Sequence, residues 1–169
     1  MKGIAIFLAV VSLVVVAGCS TMTVNSDYDR EAAFGKYRSY KWLVRSANTR
    51  VRPLTDKRIR TAVDGEMAAK GYRKSDDGKP DLWIAYKAFV RNRVDVSTYT
   101  YGYWGPYPGG AYVDVDRYKE GTLVLDVVDL EKNQLVWRGW ARGVVGRGSD
   151  PEARIKEAVH KIMERFPPK

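Results

Sequence analysis

The sequence predicts an α+β fold: an antiparallel sheet with two helices packed on one face, a two-layer sandwich. Two observations lead to this prediction. Most of the chain consists of short segments in which apolar and polar residues alternate, as in half-exposed strands. Two other segments repeat apolar residues at the spacing of a helix. The order strand, strand, helix, several strands, helix favours an antiparallel sheet with its helices on one side, because neighbouring strands joined by short turns pair directly.

The predicted strands follow the alternating segments and are separated by turn residues. Gly35 marks the first turn, a cluster at 75–80 marks a second, and 131–134 closes a hairpin near the end. The predicted strands are 24–29, 37–42, 82–93, 112–119, 121–130 and 135–145.

Both predicted helices have recognisable ends and one apolar stripe. Thr55 is a suitable N-cap for the first helix, and Gly71 is placed to end it. Asp150 is predicted to cap the second helix, with Pro151 at its first position and Pro167 just beyond its end. The stripes are Ile59, Val63 and Met67 in the first helix, and Ile155, Ala158, Val159, Ile162, Met163 and Phe166 in the second.

The N-terminus has the pattern of an export signal. Lys2 precedes an apolar run over 4–17, whose helix would reach about 21 Å, shorter than the roughly 30 Å hydrocarbon core of a bilayer. The junction Val16-Ala17-Gly18-Cys19 resembles a bacterial lipobox, which implies that Cys19 is lipidated and becomes the new N-terminus. A simple secretory signal with an accidental Cys is the alternative.

The expected organisation follows from this junction. Residues 1–18 are a lipoprotein signal peptide, 19–23 are the lipidated Cys and a short tether, and 24–169 form one α+β domain. Because Ser20 rather than Asp follows the Cys, the resemblance implies an outer-membrane lipoprotein that faces the periplasm.

The composition excludes several classes of function. The 169 residues include one His and one Cys, too few for a zinc site or for Cys–His catalysis, and no nucleophile motif is present. We therefore expect no catalytic residue, no metal and no cofactor. The net charge is +9, and basic residues crowd 45–60. In an exported protein this segment predicts contact with anionic lipid or an envelope polymer, or simply a solvated basic face, and not nucleic acid.

Several motifs together resemble a family of small bacterial lipoproteins known only as domain of unknown function 4136. The C-terminal motif is residues 121–129, GTLVLDVVD, followed by LVWRG at 135–139. Weaker matches are YD at 28–29, YKW at 40–42, KGY at 70–72, PDL at 80–82 and FPP at 166–168. The resemblance spans about 24–169 and implies the fold and an envelope lipoprotein, but no catalytic residues.

An aromatic segment at 97–112 is the first candidate binding site. Flat aromatic rings on a frame of Gly and Pro suit sugar rings, lipid interfaces and protein partners. A loop folded over its own sheet is an equal alternative. The candidate residues are Tyr99, Tyr101, Tyr103, Trp104, Tyr107 and Tyr112.

The last hairpin is the second candidate site. Symmetric closure of its turn places Asp126 opposite Gly139. Asp126 would then lie beside a small groove or have an ion-pair partner. The ion pair is the more ordinary environment, because an unpaired buried carboxylate is costly. The same closure places Trp140, which lies between Arg138 and Arg142, on the face that carries 123, 125 and 127. That face then needs a cover: the aromatic loop, a second subunit or another protein. The alternative is that the two faces are assigned the wrong way round.

The sequence as a whole favours a non-enzymatic cell-envelope lipoprotein that acts as a structural or interaction module. A membrane contact through Cys19 and a protein partner or homo-dimer are the expected associations. The alternative is a protein that binds an envelope glycan or a small ligand through the aromatic segment 97–112.

Overall fold

The computed structural model describes residues 22–43, 51–76, 78–100, 111–145 and 150–168. The strands are β1 (Thr23–Tyr28), β2 (Ser39–Trp42), β3 (Arg73–Lys74), β4 (Leu82–Thr100), β5 (Ala111–Asp129) and β6 (Gln134–Val144). The helices are α1 (Pro53–Ala69) and α2 (Pro151–Met163), and a 3-10 turn covers Phe34–Lys36. The predicted signal peptide and Cys19 lie outside the described residues.

The six strands form one mixed sheet in the order β1-β6-β5-β4-β2-β3. The β1–β6, β6–β5 and β5–β4 pairs are antiparallel, whereas β2 is parallel to both β3 and β4. The prediction of a purely antiparallel sheet is therefore wrong. The reason is α1, which follows β2 and returns the chain so that the next strands run parallel to it, as crossover helices do. The α+β class and the two helices are confirmed.

Strands β4 and β5 form a hairpin much longer than the sequence predicts. They pair without interruption from Leu82–Asp129 to Thr100–Ala111. Glu120, which separates two predicted strands, lies within β5 between Arg91 and Val144. Because β2 pairs with β4 only as far as Ile84, and β6 reaches only to Glu120 on β5, the hairpin continues past its neighbours as a two-stranded ribbon.

The two helices begin and end nearly where the sequence predicts. Helix α1 starts at Pro53 with Arg52 as its N-cap, three residues before the predicted N-cap Thr55, because Pro favours the first helical position. It ends before Gly71, whose φ of +83° is readily adopted only by glycine. Asp150 caps α2 as predicted, accepting a 2.9 Å hydrogen bond from the N–H of Glu152.

One hydrophobic core joins the helices to alternate residues of the sheet. Ile59, Val63 and Met67 of α1 and Val159 and Ile162 of α2 are all 0–1% exposed. The sheet contributes its own large side chains to the same cluster, namely Tyr40, Leu82, Ile84, Leu125, Val127 and Trp137. Burial of each large side chain contributes about 1.5–3 kcal/mol, so this core is the main source of stability.

Candidate interaction surface

Asp126 pairs with Arg138, and not with Gly139 as symmetric closure of the hairpin predicts. The register shifts between Val127 and Val128, which pair with Trp137 and Leu135 respectively. Val136 is thus an extra residue on β6, a β-bulge. A shift of one residue moves the side chains of one strand to the other face relative to its partner. Leu125 therefore shares a face with Gly139, and Asp126 lies on the face of Trp140.

The core therefore covers the face that the sequence analysis leaves uncovered. Leu123, Leu125 and Val127 are 7%, 1% and 2% exposed. Gly139, which lies opposite Leu125, allows α2 to approach closely: a Cβ at this glycine would lie 2.6 Å from Cγ2 of Ile162. The alternative of exchanged faces is therefore correct for β5 but not for β6, because Trp140 stays on the side away from the helices.

The opposite side of the sheet, which we call the open face, carries the candidate residues of the hairpin. Asp126 and Thr122 are buried there, and their neighbours are partly or fully exposed. Trp140 lies opposite Val124, between Arg138 and Arg142 along β6. The open face consists of Trp83, Ala85, Lys87, Phe89, Thr122, Val124, Asp126, Arg138, Trp140 and Arg142.

A two-point ion pair fixes the centre of the open face. Nε and Nη2 of Arg138 donate to Oδ1 and Oδ2 of Asp126 at 2.5 and 2.9 Å. The Asp126 side chain is 12% exposed and the Arg138 side chain 42% exposed. The hydrogen bond to Asp126 raises the pKa of Arg138 above its ordinary value. Asp126 is therefore the ion-paired structural acid of the more ordinary interpretation, and the guanidinium is held in place with part of its surface in solvent.

The aromatic segment is divided between the ribbon and residues that the structure does not describe. Tyr99 of β4 pairs with Tyr112 of β5 near the end of the ribbon. The segment 97–112, predicted as a loop, therefore begins and ends in strands. Tyr101, Tyr103, Trp104 and Tyr107 lie outside the described residues.

A polar cluster on α1, absent from the sequence analysis, joins this helix to the parallel strands. Oδ1 of Asp64 accepts hydrogen bonds from Tyr40 Oη and Trp42 Nε1, both at 2.8 Å, and its Oδ2 pairs with Lys74. Arg60, one turn before Asp64, pairs with Asp56, which lies a further turn back. The only signal in the sequence is the four-residue spacing of Asp56, Arg60 and Asp64 along a helix.

Part of the basic segment 45–60 is neutralised by these contacts. Arg60 pairs with Asp56 at 3.0 Å and stacks over Trp42, and Arg58 pairs with Glu152 of α2 at 3.5 Å. Arg52 has no acidic partner within the described residues. Arg45 and Arg50 lie outside the described part of the chain.

Two further acids, Asp129 and Asp81, accept hydrogen bonds at the ends of strands. These contacts stabilise the strand ends and do not form a reaction site. Burial alone would raise the pKa of Asp129, but hydrogen bonds from the N–H of Lys132 and the hydroxyl of Tyr37 hold it below its ordinary value. Asp81 is partly buried, which would raise its pKa, but hydrogen bonds from the N–H groups of Arg38 and Ser39 lower it.

Among the described residues, no three His, Cys, Asp or Glu side chains lie together in a way that would hold a metal ion. No helix in the same residues is both long and apolar enough to cross a bilayer.

The sequence profile of the family described as Domain of unknown function (DUF4136) matches residues 24–168. The chain belongs to this family. The match begins at the second residue of β1 and continues past the end of α2. The resemblance inferred from the sequence motifs is confirmed. No curated protein sequence matches this DUF4136 chain.

Solved structures share the fold of this DUF4136 chain at low sequence identity. A PDZ domain protein from Parabacteroides distasonis is 12% identical with a TM-score of 0.61, and the match covers 88% of this chain and 36% of that protein. The chain thus spans about a third of the length of that protein. Two crystal forms of PelC dodecamers from Paraburkholderia phytofirmans have TM-scores of 0.51 and 0.52 at 11% and 12% identity, with 84% of this chain and 94% of each PelC chain covered.

Proposed function

We propose that this DUF4136 chain is a non-enzymatic, lipid-anchored interaction module of the bacterial envelope, and that its open face docks a partner protein. The observation that carries the proposal is the set of large side chains on that face. Trp83, Trp140, Arg138 and Arg142 share one side of a sheet whose other side is the core. Trp and Arg are the residues most enriched among those that dominate binding energy at protein interfaces.

The ion pair makes this surface suitable for docking. Because Asp126 holds Arg138 at two points, the guanidinium loses little conformational freedom when a partner binds. Trp140 and Val124 supply apolar area next to it. A face with fixed charges around aromatic anchors matches the anatomy of a transient interface.

The proposed attachment is through Cys19 to the outer membrane, after removal of residues 1–18. Only three residues separate Cys19 from β1 at Thr23, so the extended tether spans about 13–14 Å. The Cys19→Ala variant should then leave the membrane fraction or remain unprocessed. Unchanged fractionation and unchanged processing of this variant would exclude the lipid anchor. The docking proposal has its own test, which follows.

Docking is tested by photo-cross-linking in intact cells. A photoreactive amino acid replaces Lys87, an exposed residue of the open face, and in a matched control it replaces Leu54, which is 68% exposed on α1. We expect a discrete cross-linked product from position 87 and none from position 54. Mass spectrometry then distinguishes a different envelope protein from a second copy of this chain, the arrangement that the PelC dodecamers make worth testing. Equal, diffuse products from both positions would contradict the proposal.

The alternative function is recognition of an envelope glycan or small ligand by the aromatic segment 97–112. It is favoured by one observation: the β4–β5 ribbon carries both ends of this segment past the neighbouring strands. The test is a change in tryptophan fluorescence when isolated cell-wall material is added, compared with the Trp104→Phe variant. If both proteins respond equally, the aromatic segment is not the binding site.

A further inference from the structure

A largely apolar groove lies where the two helices begin above the sheet. It encloses about 480 Å³, within the range of about 300–1,000 Å³ found for ligand pockets. The helices contribute the first two turns of α1 and α2, and the sheet continues underneath them. Its central apolar lining is Ile59, Ala88, Leu123, Ala141, Ile155 and Ala158.

Small side chains leave this end of the core unfilled. Ala88 and Ala141 on the sheet and Ala158 on α2 line the groove, and Ala88 and Ile155 remain partly exposed although they pack against the core. Ordered water is poorly retained by apolar walls, because a buried water needs two or more polar partners. The groove is therefore better suited to an apolar guest.

Among the described residues, the charged side chains at the groove are cations. Arg52 and Arg154 line it together with no Asp or Glu, whereas the side chain of Arg142, which also borders it, belongs to the open face. Arg154 is already engaged, because it donates to the carbonyl of Val144 at 2.7 Å and pairs with Glu157. Arg52, at the exposed N-cap of α1, has no acidic partner among the described residues. An apolar cleft with an available cation at its rim complements an amphiphile with an anionic head group.

We propose that this groove binds the acyl chain of a separate anionic lipid. The chain lies against Ala88, Leu123 and Ile155, and the carboxylate or phosphate of the head group lies beside Arg52. Met22 also lines the groove and follows Cys19 by three residues, so an acylated Cys19 would keep the groove within about 11 Å of the anchor. This last clause rests on the proposed function, whereas the groove and its charges do not.

The test labels the full chain in cells that are fed a clickable, photoreactive fatty acid, which the cells incorporate into their lipids. Without irradiation, label on the peptide that contains Cys19 reports lipidation and so tests the anchor separately. After irradiation, we expect a lipid adduct on peptides that line the groove. The adduct mass distinguishes a free fatty acid from a phospholipid, and either supports the proposal.

Two pairs of variants test whether the groove and its charge are responsible. Ala88→Trp fills the groove and should lower its labelling at least about ten-fold, while Ala85→Trp on the open face should not. Arg52→Glu leaves the core untouched and should lower labelling about five-fold, while Lys57→Glu, exposed on the same helix, should not. Circular dichroism confirms that each variant is folded.

Three results would overturn the proposal. They are the absence of groove adducts in the wild-type chain, labelling that Ala88→Trp and Arg52→Glu leave unchanged, and a cross-link that joins the Cys19 peptide to the groove. The last result would show that the occupant is the anchor's own acyl chain and not a separate lipid.

Discussion

The two members of the central ion pair differ in their access to water. The Asp126 side chain is 12% exposed, whereas that of Arg138 is 42% exposed. Arg138→Ala therefore leaves a nearly buried carboxylate without its partner and should destabilise the fold by about 2–3 kcal/mol, somewhat less than for a fully buried pair. Asp126→Ala leaves a guanidinium that reaches solvent and should cost less. Urea unfolding of both single variants and of the double variant measures the coupling.

If the two single variants are equally stable, the unequal burial of the pair does not govern its energetics. A coupling energy near zero in the double variant would show that the bidentate contact contributes nothing to stability.

Gly139 tests the close approach of α2 to the sheet. A Cβ at this position would meet both the ring of Trp137 and Ile162, which are 0% exposed. Gly139→Ala should destabilise the fold by about 1–3 kcal/mol through overpacking. Gly35→Ala is the matched control, because nothing lies within 4 Å of its Cβ position. Thermal unfolding of both variants measures the difference, and equal stabilities would contradict the packing described here.

The pKa of Asp129 predicts how stability depends on pH. Its folded pKa lies below the unfolded value of about 3.9, so the ionised form stabilises the fold above that pH. This stabilisation is lost as the pH falls through the folded pKa. Asp129→Asn should cost about 1–3 kcal/mol at pH 7 and should flatten the decline of the unfolding temperature below about pH 4. A wild-type slope in this variant would show that Asp129 does not contribute to acid unfolding.

At the scale of elements, α2 is the part of the molecule that the sequence predicts best. Its cap, its first Pro and its apolar stripe all follow from residue types and spacing, and Val159, Ile162 and Phe166 are 0–1% exposed. Periodicity is reliable here because a long amphipathic helix repeats the same signal several times.

The stripe of α2 leads to a direct prediction. Ile162→Asp should abolish cooperative unfolding, because a charge without a partner would lie in the centre of the core. Ile162→Ala should cost about 2–5 kcal/mol. His160→Ala is the control on the same helix, since the His160 side chain is 60% exposed. Chemical denaturation followed by circular dichroism measures all three, and a stable Ile162→Asp chain would contradict the assigned core.

The register of the last hairpin could not be predicted. One extra residue, Val136, decides which face of β5 enters the core, and it is as apolar as its neighbours and 1% exposed. Nothing in the alternation of residue types marks such a bulge. The parallel pairing of β2 was missed for a different reason, because it depends on how α1 returns the chain and not on any local pattern.

At the scale of the whole molecule, the position of the candidate site depended on the same register. The residues Asp126, Arg138, Trp140 and Arg142 were identifiable from the sequence, because charges and an aromatic ring within a strand are conspicuous. Their common face was not, because it follows from the bulge. Trp83 and Val124 join them only through the pairing of three strands.

In the docking proposal, the two sides of the sheet have different roles. One side of the sheet packs against the apolar stripes of both helices, while the open face presents two Trp and two Arg residues outside that core. Substitutions of Trp140 or Arg142, which lie outside the central ion pair, should therefore impair association more than stability.

The most direct measurement of the docking proposal is the cross-link yield from position 87 in intact cells when Trp140 is changed. Trp140→Ala should lower the yield at least about ten-fold while the chain stays folded, because removal of one central Trp costs an interface much of its affinity. Leu54→Ala, on the helical side of the molecule, should leave the yield unchanged. An undiminished cross-link in a folded Trp140→Ala chain would contradict the docking of a partner on the open face.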